Sequence, residues 1–213
     1  MDSLEENFRI LRIRVESQAA PPAIVVVSAA MSGDGTTYVA AGLARAFAET
    51  GHRTLLLEAN AGRPGVAESL GMRPIPSTCT AVGLHARHAG VSDLWVAALR
   101  EGPADGTMHD LTARMRKEFA VTVIDAAAIP ASSTALQLAH ASDALLVAVR
   151  TGRRACSADQ ELLRLIGDGD VRLLGIVPTK ARGRRVLQPA STPQLVPEVE
   201  PPARFAPRAG VGS

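Results

Sequence analysis

Residues 25–44 of the chain read VVVSAAMSGDGTTYVAAGLA, and this stretch decides how the rest of the sequence is interpreted. The run Ala23–Ser28 is short, apolar and rich in β-branched residues, which is typical of a strand buried in a parallel sheet. A glycine-containing loop covers 29–36, and the Ala-rich segment 37–49 predicts a helix that Gly51 terminates. The stretch therefore predicts a strand, a tight turn and a helix whose amino end lies beside the end of the strand.

Strand and helix patterns alternate through most of the remaining sequence. Short apolar runs predict further strands at 53–58, 121–125, 144–149 and 171–177. Helical spacing of apolar residues predicts helices at 3–18, 66–70, 110–119, 132–140 and 157–166. Residues 72–92 have little periodicity. The alternation predicts an α/β fold, a doubly wound parallel sheet with helices on both faces.

The loop after the first strand matches a phosphate-binding pattern in its glycines but not in its charge. In the pattern G-x-x-x-x-G-K-[ST], glycines let backbone N–H groups surround the phosphates, the lysine reaches the β- and γ-phosphates, and the hydroxyl holds Mg²⁺. Gly33, Gly35 and Thr37 stand where this geometry requires them, whereas Ala30 replaces the first glycine and Thr36 replaces the lysine. The flanking strand and helix favour a phosphate site; a glycine-rich turn of another doubly wound fold is the alternative.

Three motifs, in order, extend the similarity to a known family. The segment SAAMSGDGTT at 28–37 resembles the pattern S-x-x-P-G-E-G-K-[ST]. The segment LLLEANAGRPGVAESLG at 55–71 resembles a strand ending in D-x-D that is followed by an arginine–proline pair and a short helix. A strand-end aspartate, followed by small residues, a helix and an apolar strand, is matched by VTVIDAAAIPASSTALQLAHASDALLVAVRTGR at 121–153. Over roughly residues 5–178 the chain resembles the bacterial tyrosine kinases of capsule and exopolysaccharide synthesis, a branch of the deviant P-loop ATPases that includes the Min and Par partitioning proteins.

The resemblance implies a fold of the P-loop NTPase type, with ATP and Mg²⁺ as cofactors. It implies that Thr37 and Asp125 hold the metal ion and that Glu58 and Asp125 take part in catalysis. The residues that it places at the nucleotide belong to the loop and the start of the helix: Ser32, Gly33, Asp34, Gly35, Thr36, Thr37 and Tyr38.

The chain departs from the family at residues that carry charge. Thr36 removes the cation that neutralises charge developing on the transferred phosphoryl group. In the second motif, D-x-D has become Glu58, Ala59 and Asn60, and an asparagine cannot act as a general base. Asp125 is intact. We therefore predict a degenerate kinase-like regulator of exopolysaccharide or capsule synthesis, a pseudoenzyme whose ATP hydrolysis is weak or absent.

Other positions bear on the nucleotide chemistry as well. Pro178 and Thr179 stand where the family often has an asparagine beside the adenine, so base recognition is expected to differ. Arginines at 150, 153 and 154 follow a strand end, where ligands of such sheets bind, and one of them could offset the missing lysine. The kinases carry a C-terminal tyrosine cluster as their own substrate, whereas this chain has one tyrosine, Tyr38, which excludes self-phosphorylation of a tail.

The first predicted helix carries the pattern E-x-x-R-x-x-R in Glu6, Arg9 and Arg12, and helical spacing predicts that these side chains share one face. In the kinases that face packs against a neighbouring subunit near its active site, so the resemblance implies a homo-oligomer; a solvated charged stripe is the alternative. The resemblance also implies a partner, a membrane chain-length or export protein of polysaccharide synthesis. Nucleic acid is not expected, because the net charge is only +2.

Composition divides the chain into three expected segments: an interface helix over 1–20, a P-loop ATPase-like domain over 21–180, and a Pro-rich disordered tail over 181–213. No apolar run approaches the roughly 20 residues of a membrane span, and the polar, acidic N-terminus does not resemble a secretory signal. The two cysteines have no paired spacing. We therefore expect a cytoplasmic protein that reaches the inner membrane through a partner.

Two other functions remain open. One is an active ATP-dependent protein tyrosine kinase or ATPase that works with Thr37, Glu58 and Asp125. The other is a Min/Par-type partitioning ATPase that binds DNA or membrane. The E-x-x-R-x-x-R pattern argues against the partitioning function, as does the lack of an amphipathic pattern near the C-terminus.

Overall fold

A computed structural model describes residues 3–60, 62, 65–73, 79–80, 83–84, 86–90, 92–99 and 107–179. Its helices are α1 (Ser3–Gln18), α2 (Thr36–Ala48), α3 (Val66–Ser69), α4 (Thr107–Glu118), α5 (Ser133–His140) and α6 (Ser157–Gly167), with a 3₁₀ turn at Ile129–Ala131. Its strands are β1 (Ala23–Ser28), β2 (Thr54–Ala59), β3 (Cys79–Thr80), β4 (Gly83–Leu84), β5 (Arg87–His88), β6 (Leu94–Ala98), β7 (Val121–Ala126), β8 (Ala144–Arg150) and β9 (Leu173–Thr179). The predicted tail at 181–213 lies outside the described residues. No helix in the described part of the chain is long and apolar enough to cross a bilayer.

Seven strands form one sheet in the order β5-β6-β2-β7-β1-β8-β9. Every neighbouring pair is parallel except β5 and β6, which are antiparallel. The short strands β3 and β4 pair with each other in a separate antiparallel ribbon. The chain leaves β1 for β2, returns to β7 between them, and then crosses to β8 on the other side of β1. The predicted α/β class, with a doubly wound and mostly parallel sheet, is confirmed.

Each face of the sheet has its own apolar core. On one face α2 packs against the sheet and α1 packs against α2, and Phe47 of α2 is among the buried side chains. On the other face lie α4, α5 and α6, with Met115 of α4 fully buried. Strand β1 serves both cores because its side chains alternate: Val25 faces the first and Ile24 the second. The predicted placement of helices on both faces is therefore confirmed.

Helix α1 is attached to the domain by close contact with α2. A Cβ atom on Gly42 of α2 would lie 2.3 Å from Cζ of Phe8 in α1, so only glycine leaves room for the ring. The Phe8 ring also meets Tyr38 edge to face, with centroids 5.4 Å apart. Val15 of α1 is fully buried. The first helix is thus part of the folded core and not an appended segment.

Some elements differ from those predicted. The sequence-based predictions did not include strand β6, because LWVAA ends in two alanines, which have low strand propensity. In the structure this segment pairs with β2, with Leu94 opposite Thr54. Helix α4 begins at Thr107 rather than Asp110. The last strand begins at Leu173 rather than Val171 and continues through Thr179. Boundaries of this kind depend on pairing with neighbours, which local patterns do not contain.

Candidate functional site

The predicted site residues meet at the carboxyl edge of the sheet, where β1, β2 and β7 end side by side. Asp125 of β7 is in register with Val27 of β1 and with Glu58 of β2. The loop that follows β1 therefore starts next to both carboxylates. The three sequence motifs are brought together at one edge, the edge at which open α/β sheets bind ligands.

The loop between β1 and α2 has a backbone shape that glycine adopts readily. Gly33 has a φ of 92° and Gly35 a φ of 96°, values that other residues rarely adopt. Gly35 is also the N-cap of α2, where no side chain caps the helix, and the first turn contains no acidic residue. A Cβ atom on Gly35 would lie 3.1 Å from Cγ2 of Thr179. The start of α2 thus has the geometry in which backbone N–H groups bind anions.

Thr37 and Asp125 form a bonded pair at the base of this loop. The Thr37 hydroxyl donates to Oδ2 of Asp125 over 2.7 Å, and Asp125 is fully buried. The second carboxylate oxygen, Oδ1, has no hydrogen-bond partner among the described residues. A hydroxyl beside a carboxylate with an unpaired buried oxygen fits the oxygen ligands that Mg²⁺ takes. Thr37 and Asp125 are therefore the residues that could hold the ion.

Burial changes the acidity of Asp125. Desolvation is the largest influence and raises the pKa of the carboxyl from 3.8 to about 6. The hydroxyls of Thr37 and Thr36 lower the pKa, while the charge of Glu58 raises it. A cation bound beside Asp125 would oppose the desolvation and lower the pKa again.

Glu58 is buried and holds the next segment of the chain. Its Oε1 accepts hydrogen bonds from the backbone N–H groups of Gly65, at 2.7 Å, and Val66, at 2.9 Å. A Cβ atom on Gly65 would in turn lie 3.5 Å from Cγ2 of Thr37, so the start of α3 is packed next to the loop. The carboxylate predicted to be catalytic therefore also has a structural task, which motif matching did not anticipate.

The position of the family's lysine is occupied by Thr36, the first residue of α2. Within the described part of the chain the only lysine is Lys117, which is exposed near the end of α4. Helix α4 leads into the amino end of β7, so Lys117 lies towards the edge of the sheet opposite to the loop. No described lysine can take the place of the missing one.

Arg153 is the arginine of the 150–154 cluster that reaches the loop. Its Nη2 lies 3.0 Å from Oδ2 of Asp34, and its Nη1 lies 2.6 Å from Oδ2 of Asp159 in α6. The Thr179 hydroxyl donates to the backbone carbonyl of Asp34 over 2.6 Å. Asp159 was not among the predicted site residues, although Cys156-x-x-Asp159 at a helix start has the spacing of a capping box, which the structure contains. The contact between Arg153 and Asp34 joins positions 119 residues apart and has no local pattern.

The remaining predicted nucleotide residues flank the loop. Ser32 is exposed beside Gly33, and Tyr38 is half-buried, with its ring against Phe8 of α1. The ring of Tyr38 therefore belongs to the contact between α1 and α2, and a nucleotide contact from this residue would come from its backbone.

The predicted interface residues do not share one exposed face. Arg9 and Glu6 form an exposed ion pair at 3.5 Å, whereas Arg12 has a side chain only 16% exposed and pairs with Glu16. Each three-residue step rotates about 60° short of a full turn, so Arg12 lies about 120° around the helix from Glu6. That the three residues form a subunit interface stays a prediction. Arg12 is directed towards its own chain, where Glu16 also meets His52 at 3.4 Å.

Comparison with known proteins supplies the wider context. No family model matches the chain. The succinoglycan biosynthesis transport protein ExoP of Rhizobium meliloti is 25% identical over an alignment of 195 positions that covers 82% of this chain and 25% of ExoP. The chain thus spans about a quarter of the length of that relative.

Solved structures share the fold at low identity. The kinase domain of the Escherichia coli tyrosine kinase ETK matches with a TM-score of 0.69 at 16% identity, covering 89% of this chain and 78% of that domain. The VpsO kinase domain gives a TM-score of 0.66 at 18% identity, with 84% and 96% covered. The septum site-determining protein MinD of Pyrococcus horikoshii, complexed with Mg-ADP, gives 0.59 at 13% identity, with 72% and 68% covered. The chain is therefore homologous to ExoP and has the α/β fold of bacterial tyrosine kinase domains and MinD-like P-loop ATPases.

Proposed function

We propose that the chain is a degenerate relative of these kinase domains and that its ATP hydrolysis is weak or absent. Its proposed role is to regulate exopolysaccharide or capsule synthesis and export. One observation carries the proposal: Thr37 is bonded to Asp125 beside a glycine loop of phosphate-binding shape, while Thr36 occupies the position of the lysine. A site that can hold phosphate but lacks the cation for phosphoryl transfer suits a regulator better than a catalyst.

Binding and turnover depend on different parts of such a site. The backbone N–H groups and the dipole of α2 attract phosphate whichever side chain stands at position 36. The lysine acts most strongly on the transition state, so its loss reduces hydrolysis more than binding. We infer weak binding of ATP, with Mg²⁺ held by Thr37 and Asp125, and the Mg-ADP in the MinD structure supports this cofactor class. The proposed nucleotide contacts come from Ser32, Gly33, Asp34, Gly35, Thr36, Thr37 and Tyr38.

The relationship to ExoP supports a proposal for the partner and the location. ExoP is a biosynthesis transport protein for a polysaccharide, and we propose that this chain acts with a membrane chain-length or export protein on the cytoplasmic side of the inner membrane. Self-association would use the exposed side of α1, with Glu6 and Arg9 at the contact and Arg12 supporting the helix from within. The proposed division is an interface helix at 1–20, an ATPase-like domain at 21–180 and a tail at 181–213.

A second candidate is an active ATPase or protein tyrosine kinase. The bond between Thr37 and Asp125 supports it, because these two residues together could hold Mg²⁺ without the lysine. In that case Glu58 would be the second carboxylate of the reaction, although Oε1 already accepts two backbone N–H groups. A partitioning ATPase rests on the fold alone.

Calorimetric titration with ATP and Mg²⁺, paired with a hydrolysis assay, distinguishes these candidates. A regulator binds ATP weakly and turns it over far below the rate of an active kinase domain measured in parallel. Turnover comparable with that active domain would reject the proposal and favour the second candidate.

A further inference from the structure

An ion pair connects the glycine loop after β1 to the end of β8. The glycine pattern of a phosphate-binding loop does not require such a pair. Asp34 lies between Gly33 and Gly35, and its side chain is 3% exposed, while that of Arg153 is 11% exposed. Nη2 and Nε of Arg153 lie 3.0 Å and 3.2 Å from Oδ2 of Asp34. A carboxylate so deeply buried depends on its partner, because an unpaired charge away from water is strongly destabilising.

Arg153 is itself fixed by the start of α6. Its Nη1 donates to Oδ2 of Asp159 over 2.6 Å, and its Nη2 donates to Oδ1 of the same carboxylate. Asp159 also accepts the backbone N–H of Cys156 at 2.8 Å. The paired contacts from Arg153 hold the pKa of Asp159 well below its usual range, and those from Asp159 raise the pKa of Arg153. Both groups therefore stay charged through the ordinary pH range.

The backbone of Asp34 is also held, by residues at the carboxyl ends of β8 and β9. The Thr179 hydroxyl donates to the carbonyl of Asp34 over 2.6 Å. Thr151, which follows β8, donates its backbone N–H to the carbonyl of Thr179 at 2.7 Å and its hydroxyl at 3.0 Å. The segment between Gly33 and Gly35 is thus positioned by the ends of β8 and β9 as well as by β1.

We propose that Arg153 is a positioning residue of the phosphate loop: it fixes Asp34 and offsets part of the negative charge of that carboxylate close to the bound anion. The charge role rests on the function proposed above. A phosphate at the start of α2 would lie in the same short loop as the Asp34 carboxylate, and Thr36 supplies no cation to offset their repulsion. Arg153 acts through Asp34 and needs no contact with the phosphate.

Three variants separate this role from general stabilisation. Arg153→Met removes the guanidinium and keeps an unbranched side chain, and Arg153→Lys restores one positive charge. Arg164→Met is the matched control, because Arg164 also pairs with two carboxylates, Glu161 and Asp168, but all three residues belong to or cap α6.

Hydrogen–deuterium exchange of the ligand-free full chain tests the positioning without any nucleotide. Arg153→Met should make the amides of 31–37 exchange several-fold faster, while Arg164→Met leaves them at the wild-type rate. Arg153→Lys should recover most of the protection. Unchanged exchange of this segment in Arg153→Met would overturn the inference.

Titration with ADP and Mg²⁺ in a Thr36→Lys background tests the charge role. Arg153→Met should lower the affinity about ten-fold, and adding Asp34→Asn should restore it because the unpaired carboxylate inside the loop is then removed. Arg164→Met should leave the affinity unchanged. Equal affinity with and without Arg153 would overturn the charge role. If Thr36→Lys binds no ADP, the proposed function fails, and the exchange measurement still decides whether Arg153 positions the loop.

Discussion

The Thr37 hydroxyl and Oδ2 of Asp125 lie 2.7 Å apart and join the first turn of α2 to the end of β7. The two residues are 88 positions apart in the chain. Their bond fixes the loop relative to the strand ends and leaves Oδ1 of Asp125 buried without a partner among the described residues. The same carboxylate therefore links the candidate metal site to the stability of the fold.

Asp125 should make stability depend on pH in the direction set by its raised pKa. The folded-state pKa is about 6 and the unfolded value 3.8, so the folded state binds more protons in this interval and stability falls as the pH rises from about 4 to about 6. Asp125→Asn removes this titration. Between acidic and neutral pH the wild type should lose about 3 kcal/mol of free energy of unfolding that Asp125→Asn does not lose, at about 1.4 kcal/mol per pKa unit. Urea denaturation over this range measures the difference, and equal pH slopes would contradict it.

Thr36→Lys should restore measurable ATP binding. A charge-assisted contact with phosphate is worth about 1.5–3 kcal/mol, so affinity should rise roughly ten- to a hundred-fold in calorimetry, with Mg²⁺ dependence through Thr37 and Asp125. Thr36→Gln is the control, since it adds length without charge. If Thr36→Lys binds no better than this control, the loop does not hold phosphate.

Turnover should recover less readily than binding. Asn60 leaves the second motif without the carboxylate that the kinases have at that position. We expect Thr36→Lys alone to hydrolyse ATP poorly and Thr36→Lys with Asn60→Asp to hydrolyse it faster, because the lysine acts mainly on the transition state and the carboxylate adds a further ligand or base. A phosphate-release assay compares the two variants. Equal rates would exclude a role for position 60.

Gly42→Ala should loosen α1 from α2. The new Cβ would lie 2.3 Å from the Phe8 ring, and overpacking of this kind costs about 1–3 kcal/mol despite the better helix propensity of alanine. Gly167→Ala is the matched control, because a Cβ there meets nothing within 4 Å, and it should be neutral or slightly stabilising. Thermal unfolding distinguishes the two, and a Gly42→Ala variant as stable as the control would show that α1 can shift freely.

Self-association through α1 should depend on its exposed charges. Glu6→Ala with Arg9→Ala is expected to lower the mass measured by light scattering and leave the circular dichroism unchanged, since both side chains are exposed. Arg12→Ala alone should instead lower the melting temperature, because that side chain is largely buried and pairs with Glu16. A wild-type chain that stays monomeric at high concentration with nucleotide present would rule out the interface.

Much of the fold could be read from local patterns. The apolar run of β1, the glycines of the loop and the Ala-rich segment of α2 each indicate one backbone shape, because side-chain periodicity and glycine geometry are properties of neighbouring residues. The alternation of strands and helices was enough to predict the α/β class. Strand β6 was not predicted, because Trp95 and Val96 favour a strand but the run is only five residues long and ends in two alanines; its pairing with β2 completes it.

The sequence by itself determined which residue types stand in the loop, and hence that threonine replaces the lysine at position 36. Only the tertiary structure decided what each charged side chain does. It places Asp34 against Arg153, uses Glu58 to hold the N–H groups of Gly65 and Val66, and buries most of the Arg12 side chain. The contacts of Asp34 and Glu58 depend on strand order and register, and the burial of Arg12 depends on how α1 docks, because a charged side chain that leaves water takes the partner that the packed backbone brings within reach.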